Sequence, residues 1–262
     1  MQSPLQRGWR SAKIIFNEPP MLNIFNVIFY QPLLNLLVFF YNVIPGHDVG
    51  VAIICLTVII KLVLFPFSYK SIKSQKSLRD IQPKIDALKK KYQNKKEEMA
   101  KAMMELYKRE KVSPFSSCLP TLIQLPFLFA VYQVFQKGLK SASLDFLYPF
   151  VHNPGPLNPL SLGIMDLSKP NWVLAFLAAI SQYWASKMMV TQNPPKEVAK
   201  SPGAKDESMT AMMNKQMLYM MPVFTFIIGI SLPGGLALYW LITTLLMIGQ
   251  QYWVFGKDAK KK

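Results

Sequence analysis

Residues 49–67 read Val-Gly-Val-Ala-Ile-Ile-Cys-Leu-Thr-Val-Ile-Ile-Lys-Leu-Val-Leu-Phe-Pro-Phe, an apolar run in which Lys61 is the only charge. A helix needs about 17–25 mostly apolar residues to cross a bilayer, so the run predicts a transmembrane segment. Lys near the centre of a span costs about 2.5–3.5 kcal/mol on insertion scales, and such a residue usually faces water, a partner or a substrate path. A second reading stands beside that one. Lys61 precedes Phe67 by six residues, about 9 Å of helix, and its stem can snorkel to the cytoplasmic interface. The segment by itself leaves both open.

Working outward, the 262-residue chain is 51% hydrophobic yet carries a net charge of +16. That combination does not fit an ordinary soluble domain and points to an all-α polytopic membrane protein with its charges segregated into blocks. Residues 70–111 alone hold 14 Lys/Arg against 6 Asp/Glu. Four more apolar runs follow the first, at 114–137, 172–190, 216–232 and 235–255, giving five transmembrane helices. The loops at 70–111 and 187–215 and the tail from Lys257 carry 23 basic residues, whereas 1–48 and 139–171 carry 5. By the positive-inside rule the first group is cytoplasmic, with the N-terminus outside and the C-terminus inside.

The segment 21–44, with its helix expected over 23–44, is also apolar enough to span, but Asn23, Asn26, Gln31, Pro32, Asn35 and Asn42 are spread through it. Phe29, Leu33, Leu36, Leu37 and Phe40 recur at helical spacing between them, the pattern of an external, interfacial amphipathic helix; a further span is the alternative. Residues 1–22 then form an external N-terminal segment. After a connector at Ser68–Ser77, Ile81, Ile85, Leu88 and Tyr92 make one narrow apolar stripe and Met99, Met103 and Leu106 another. Two such helices joined by a tight turn predict an antiparallel hairpin in the cytosol over 78–111. Pro83 suits a first turn. Gln82, Pro83, Lys84, Lys89, Lys90, Lys91, Lys95 and Lys96 would give it a contact surface for anionic lipid, ribosomal RNA or a nascent chain. The plainer reading is a solvated pair of helices whose lysines only enforce topology. The proline-rich stretch 139–171 reads as an extended external crossover, 191–208 as a cytosolic linker, and 256–262 as a short basic tail.

No HExxH, GxSxG or phosphate-binding loop occurs, and the spans hold no carboxylate pair, so an enzyme is not expected and no cofactor or metal is implied. Cys55 and Cys118 lie in or beside apolar runs and read as small core residues rather than a disulfide framework. No Arg-rich, Ser-rich presequence is evident, which favours a bacterial plasma membrane over an organelle. Within the spans the polar groups are Thr57, one turn before Lys61 and so on the same face, Gln124 between Pro120 and Pro126, Ser181 and Gln182, and Thr243 and Thr244. Each alone suits interhelical hydrogen bonding. With Lys61 they suggest a wet cavity, because a buried ammonium needs acceptors or water. Met188, Met189, Met212, Met213, Met217, Met220 and Met221 cluster at cytoplasmic helix ends, either as packing or as a pliable apolar slide.

Several strings align in order and spacing: Gln31-Pro32-Leu33, Ile59-Ile60-Lys61-Leu62 with Pro66, Leu78 to Ile85, Met103 to Lys108, Leu122 to Phe127, Tyr219 to Pro222, and Pro233 to Trp240 with Gln250-Gln251. Together they closely resemble the YidC/Oxa1/Alb3 family of membrane protein insertases, over about residues 25–256. The resemblance implies a hydrophilic groove open to the cytosol and to lipid, with the intramembrane base at Lys61, often arginine in bacterial members. It further implies insertion-related positions at Thr57 and Trp240, the latter commonly tyrosine, and a groove-facing Gln124. Thr243-Thr244 replace a Ser-Asn pair of the relatives.

A client's polar external tail would enter this groove, attracted by Lys61, while its apolar segment leaves sideways into lipid. The partners so implied are nascent membrane proteins, a ribosome held weakly or transiently given the short tail, and anionic lipids, with a Sec-type translocon left open and no DNA. Two competing classes are a small anion channel or transporter using Lys61, and a passive scaffold that binds membrane proteins without moving them.

Overall fold

The computed structural model describes residues 24–92, 95–113, 119–138, 146–189 and 216–259. The expected external segment 1–22, the linker 191–208 and the end of the tail lie outside the described residues. Nine helices occur among the described residues: α1 Asn26–Val43, α2 Val49–Val63, α3 Phe65–Asp80, α4 Gln82–Lys91, α5 Lys96–Arg109, α6 Leu119–Gly138, α7 Trp172–Met189, α8 Met221–Gly229 and α9 Gly234–Ala259. A two-stranded antiparallel hairpin, β1 Leu160–Ser161 with β2 Met165–Asp166, is the exception to an all-α chain. Wide π-type turns lead into the regular part of α1 at Asn26–Tyr30 and into α8 at Gln216–Met220.

By length and composition, α1 is the one described helix long and apolar enough to cross a membrane by itself, and α2 with α3 pass when taken as a bent pair. Leu122–Gln136 and Leu218–Gly229 are shorter apolar helices. The run expected as one segment over 49–67 is broken at Leu64, and α3 starts at Phe65. Pro66 explains the break, since it has no N–H to donate to the preceding turn and its ring crowds the carbonyl there; inside a first turn it loses nothing. A second correction follows. The stretch 68–77, expected as a connector, is helical throughout as part of α3.

The described residues form two compact units. The first draws on residues up to Val63, Thr121–Ala178 and Phe226–Thr243; the second on Leu64–Pro120, Ala179–Thr225 and residues from Thr244.

In the first unit α1 buries Leu33, Leu34, Leu37, Val38 and Tyr41. This face overlaps only partly with the expected apolar stripe, because Asn35 lies within it, 3% exposed. The reason is its partners. Asn35 Nδ2 donates to the Phe146 carbonyl (3.1 Å) and its Oδ1 accepts the Tyr148 N–H (2.6 Å). Gln31 Nε2 donates to the same Phe146 carbonyl (3.1 Å), Asn42 Nδ2 to the His152 carbonyl (2.7 Å), and the Asn158 N–H to the Tyr41 hydroxyl (3.1 Å). The polar residues of α1 therefore satisfy the backbone of the crossover loop, whose prolines and irregular path leave amides and carbonyls that no helix or sheet pairs.

Asp48 immediately precedes α2, and its Oδ1 accepts the Val51 N–H at 2.9 Å, a side-chain cap for one of the orphan amides of the first turn. The same carboxylate accepts the Ser161 hydroxyl (2.9 Å) and the Leu162 N–H. Burial pushes this carboxyl up, but the bonds from Leu162, Val51, Ser161 and Gly50 outweigh it and hold the group below its ordinary value. Gly50 permits the close approach: a Cβ there would lie 2.0 Å from Ser161 Oγ and 2.8 Å from Ser161 Cβ. Gly50→Ala therefore must push the hairpin off α2, at a cost of about 1–3 kcal/mol; a lowered Tm in detergent and faster proteolysis within 159–169 are the expected readouts.

The hairpin turn places Leu162 at φ 52° and Gly163 at φ 70°. The left-handed conformation costs a leucine about 1–2 kcal/mol that Asn or Gly would largely avoid. At its base the Leu167 N–H donates to the Pro159 carbonyl (2.9 Å). The start of α9 is tied to the same loop, with Gly234 N–H donating to the Lys169 carbonyl (2.8 Å) and Gly235 N–H to the Leu167 carbonyl (2.9 Å). Gly235 also lets α9 close on Phe135 of α6 and Ile53 of α2, and Gly229 of α8 sits on Ala175 of α7, the small-residue packing that brings membrane helices together.

In the second unit Trp253 packs against Phe65 and Tyr69, with ring centroids 5.9 and 5.6 Å apart. Arg79 lies over the Phe255 ring at 5.8 Å and donates to the Met188 carbonyl at 3.1 Å. The helices α4 and α5 have their own small core of Ile81, Ile85 and Leu106, flanked by Leu78, Leu88, Met103, Tyr107 and Val112. The start of α4 thus meets the end of α5, so the pair is antiparallel.

Candidate functional site

Thr57 and Lys61 are one turn apart on α2 and share a face. Thr57 is fully buried, and its hydroxyl donates to the Ile53 carbonyl at 2.6 Å, the back-bond by which a hydroxyl is accommodated in an apolar helix. That proton is spent inside α2. Lys61 is half-buried and has neither a hydrogen bond nor an ion pair among the described residues. An ammonium carries three donors and no acceptor, so all three remain available for a ligand or solvent.

On α6, Gln124 Nε2 donates to the hydroxyl of Tyr239 on α9. Tyr239 is 1% exposed, and a buried phenol retains its place only with a polar partner. Pro126, inside α6, removes one bond from the helix ladder just after Gln124. Trp240 is half-buried beside Tyr239, and Thr243, buried, follows Tyr239 by one turn on the same face. All of these residues belong to the first unit. Among the described residues no hydrogen bond joins Lys61 to Gln124 or Thr243. Gln182 and Thr244 fall in the second unit, the former half-buried and the latter buried. In that unit Gln251 is also fully buried, with neither amide atom partnered among the described residues.

Tyr239, which the sequence does not single out, makes the interhelical bond, one residue before the expected Trp240. The available signal was weak: Tyr239 and Thr243 stand one turn apart in an otherwise apolar run, which marks a polar stripe but not its partner.

Of the hairpin residues, Gln82 Nε2 donates to Asp86 Oδ1 (3.1 Å), and Pro83 occupies the first turn of α4. Lys84 pairs with Glu110 at 2.7 Å and Lys95 with Glu98 at 2.9 Å. The Lys84 hydrogen bond, with Lys84 and Arg109 charge nearby, holds the Glu110 carboxyl below its ordinary value. Lys91 lies over the Tyr92 ring at 5.2 Å. The side chains of Lys89, Lys90 and Lys96 lie outside the described residues, as do the side chains of Met212, Met213 and Met217.

The family model described as "60Kd inner membrane protein" matches residues 39–261. A protein of Magnetococcus marinus named "Membrane protein insertase YidC" is 36% identical over 229 residues, 87% of this chain and 35% of the relative. One of the same name from Geobacter sulfurreducens is 35% identical over 226 residues, 86% of this chain and 36% of the relative. The chain thus spans about a third of the length of these relatives. A further relative of that name, from Fusobacterium nucleatum, is 32% identical over 232 residues, 88% of this chain and 98% of its own length. With nearly the whole chain matched, this protein belongs to the 60Kd inner membrane protein, or YidC/Oxa1, family.

Proposed function

We propose that this chain inserts nascent membrane proteins into the bacterial inner membrane, receiving the polar part of each client at a hydrophilic groove that carries Lys61. The observation that carries the reading is the half-buried Lys61 ammonium on an apolar helix, with no hydrogen-bond or ion-pair partner among the described residues. Desolvating a charge without a partner is expensive, so a group retained in that state suits a task that supplies its partner from outside. The relatives' name is consistent with such a task.

In this reading five segments cross the membrane, with the N-terminus outside and the C-terminus inside, and Gln124, Trp240 and Thr243 line the groove with Thr57 and Lys61. A client's acidic or polar tail is drawn to Lys61 and crosses part of the bilayer in water. Its apolar segment then moves sideways into lipid, driven by burial worth about 25 cal/mol per Å². No nucleotide or metal takes part. The hairpin of α4 and α5 faces the cytosol and meets anionic lipid and, transiently, the ribosome through its basic residues; a Sec-type translocon is a further candidate partner.

Photo-crosslinkers placed at 61 and 124 should capture a stalled nascent chain, and the purified protein in liposomes should insert that client unaided. Crosslinks without insertion would leave a passive scaffold. Anion flux through proteoliposomes free of client would favour a channel.

A further inference from the structure

The external loop carries a short segment with no evident role in that mechanism. Pro159 to Met165 contains no charged residue, and at its turn Leu162 is 70% exposed and Ile164 85%, with Leu160 at 44%. The turn is also the one where a leucine is held in the left-handed region, a place that suits Asn or Gly. Exposed branched side chains, one of them in a strained backbone position, make a poor loop for water.

Two ties set the level of this tip. Ser161 and Leu162 bond to Asp48, the residue immediately before the apolar run of α2. Leu167, whose N–H pairs with Pro159 across the hairpin base, also accepts from Gly235 at the start of α9. The hairpin is thus pinned to the starts of two apolar helices. The Asp166–Lys169 ion pair, 3.1 Å, starts at the last residue of β2, opposite Leu160 at the foot of the hairpin. An ion pair at the base, a carboxylate holding the turn's backbone and exposed apolar side chains at its tip are the arrangement of a loop that sits in the headgroup and acyl boundary.

We propose that the hairpin Leu160–Asp166 is a membrane anchor whose tip, Leu162 and Ile164, inserts into the leaflet at which α2 begins. It would hold the crossover loop, and through Asp48 the start of α2, at a fixed depth. The proposal rests on α2 spanning the bilayer, as the proposed function requires.

Nitroxide labels at Ile164→Cys and, separately, Leu62→Cys, in a Cys55→Ala, Cys118→Ser background, test it in phosphatidylethanolamine and phosphatidylglycerol vesicles. Leu62 is exposed on α2 and reports the span itself. Collision with oxygen relative to a water-soluble nickel complex should exceed the value for a label in water several-fold at both positions. Label 62 in lipid with label 164 in water overturns the anchor and leaves the spanning reading intact. Label 164 shielded from both reagents means that protein covers the tip, and this also overturns it. Label 62 in water removes both.

Discussion

Replacing Lys61 by Glu should reduce insertion of clients with acidic external tails by tenfold or more in reconstituted liposomes, while clients with neutral tails lose much less. The size follows from the charge. Two unit charges about 6 Å apart attract by about 3 kcal/mol at an effective dielectric near 20, and inversion turns that attraction into a repulsion of similar size. Screening by water in an open groove reduces the figure, yet about 1.4 kcal/mol already amounts to tenfold in rate. Because Lys61 has no protein partner among the described residues, the substitution breaks no ion pair there, and the folded protein should be recovered in normal yield. Lys61→Arg keeps the charge and should be tolerated, with any change reporting the loss of a compact, rotatable ammonium for a planar fork. Equal loss for acidic and neutral tails would remove charge attraction from the mechanism.

Disrupting the α4–α5 hairpin should abolish insertion while leaving the rest of the protein in the membrane. Among the described residues its core is Ile81, Ile85 and Leu106 with their immediate neighbours, so few contacts hold it together. Leu106→Asp places a carboxylate at a 4%-exposed site. Burying an unpaired charge there costs several kcal/mol, more than a core of this size can supply. Circular dichroism should show the loss of up to the 10 residues of α4 and 14 of α5 from the helical signal. Deleting Gln82 to Lys108 should reproduce the loss of activity without the complication of a misfolded segment. Full activity in the deleted protein would reduce the hairpin to a topology device, the role in which its lysines serve only as a cytoplasmic charge block. Ion pairing already narrows the exposed basic set, since Lys84 and Lys95 are engaged with Glu110 and Glu98.

The site was partly legible. Lys61 and Thr57 stood out because helical spacing puts residues one turn apart on one face, and a lone charge in an apolar run is conspicuous whatever surrounds it. The Gln124–Tyr239 bond joins residues 115 positions apart, and no local pattern encodes a contact of that range. Helical spacing puts Thr57 on the Lys61 face but does not say that its hydroxyl turns back to the Ile53 carbonyl.

What sequence alone determined was the helical class, the apolar run broken by Lys61, the two stripes of the hairpin and the family. Each is carried by composition, by periodicity within a dozen residues or by strings in order, and a single chain holds all of these before it folds. Tertiary structure decided the rest. Asn35 and Asn42 look like the wet face of an interfacial helix until the crossover loop supplies Phe146, Tyr148 and His152 for them to bond. Gly50 looks like an ordinary residue of a span until Ser161 rests against it. The physical reason is common to both. A polar or small side chain states only a need for a partner or for space, and the partner that meets it comes from more than 100 residues away.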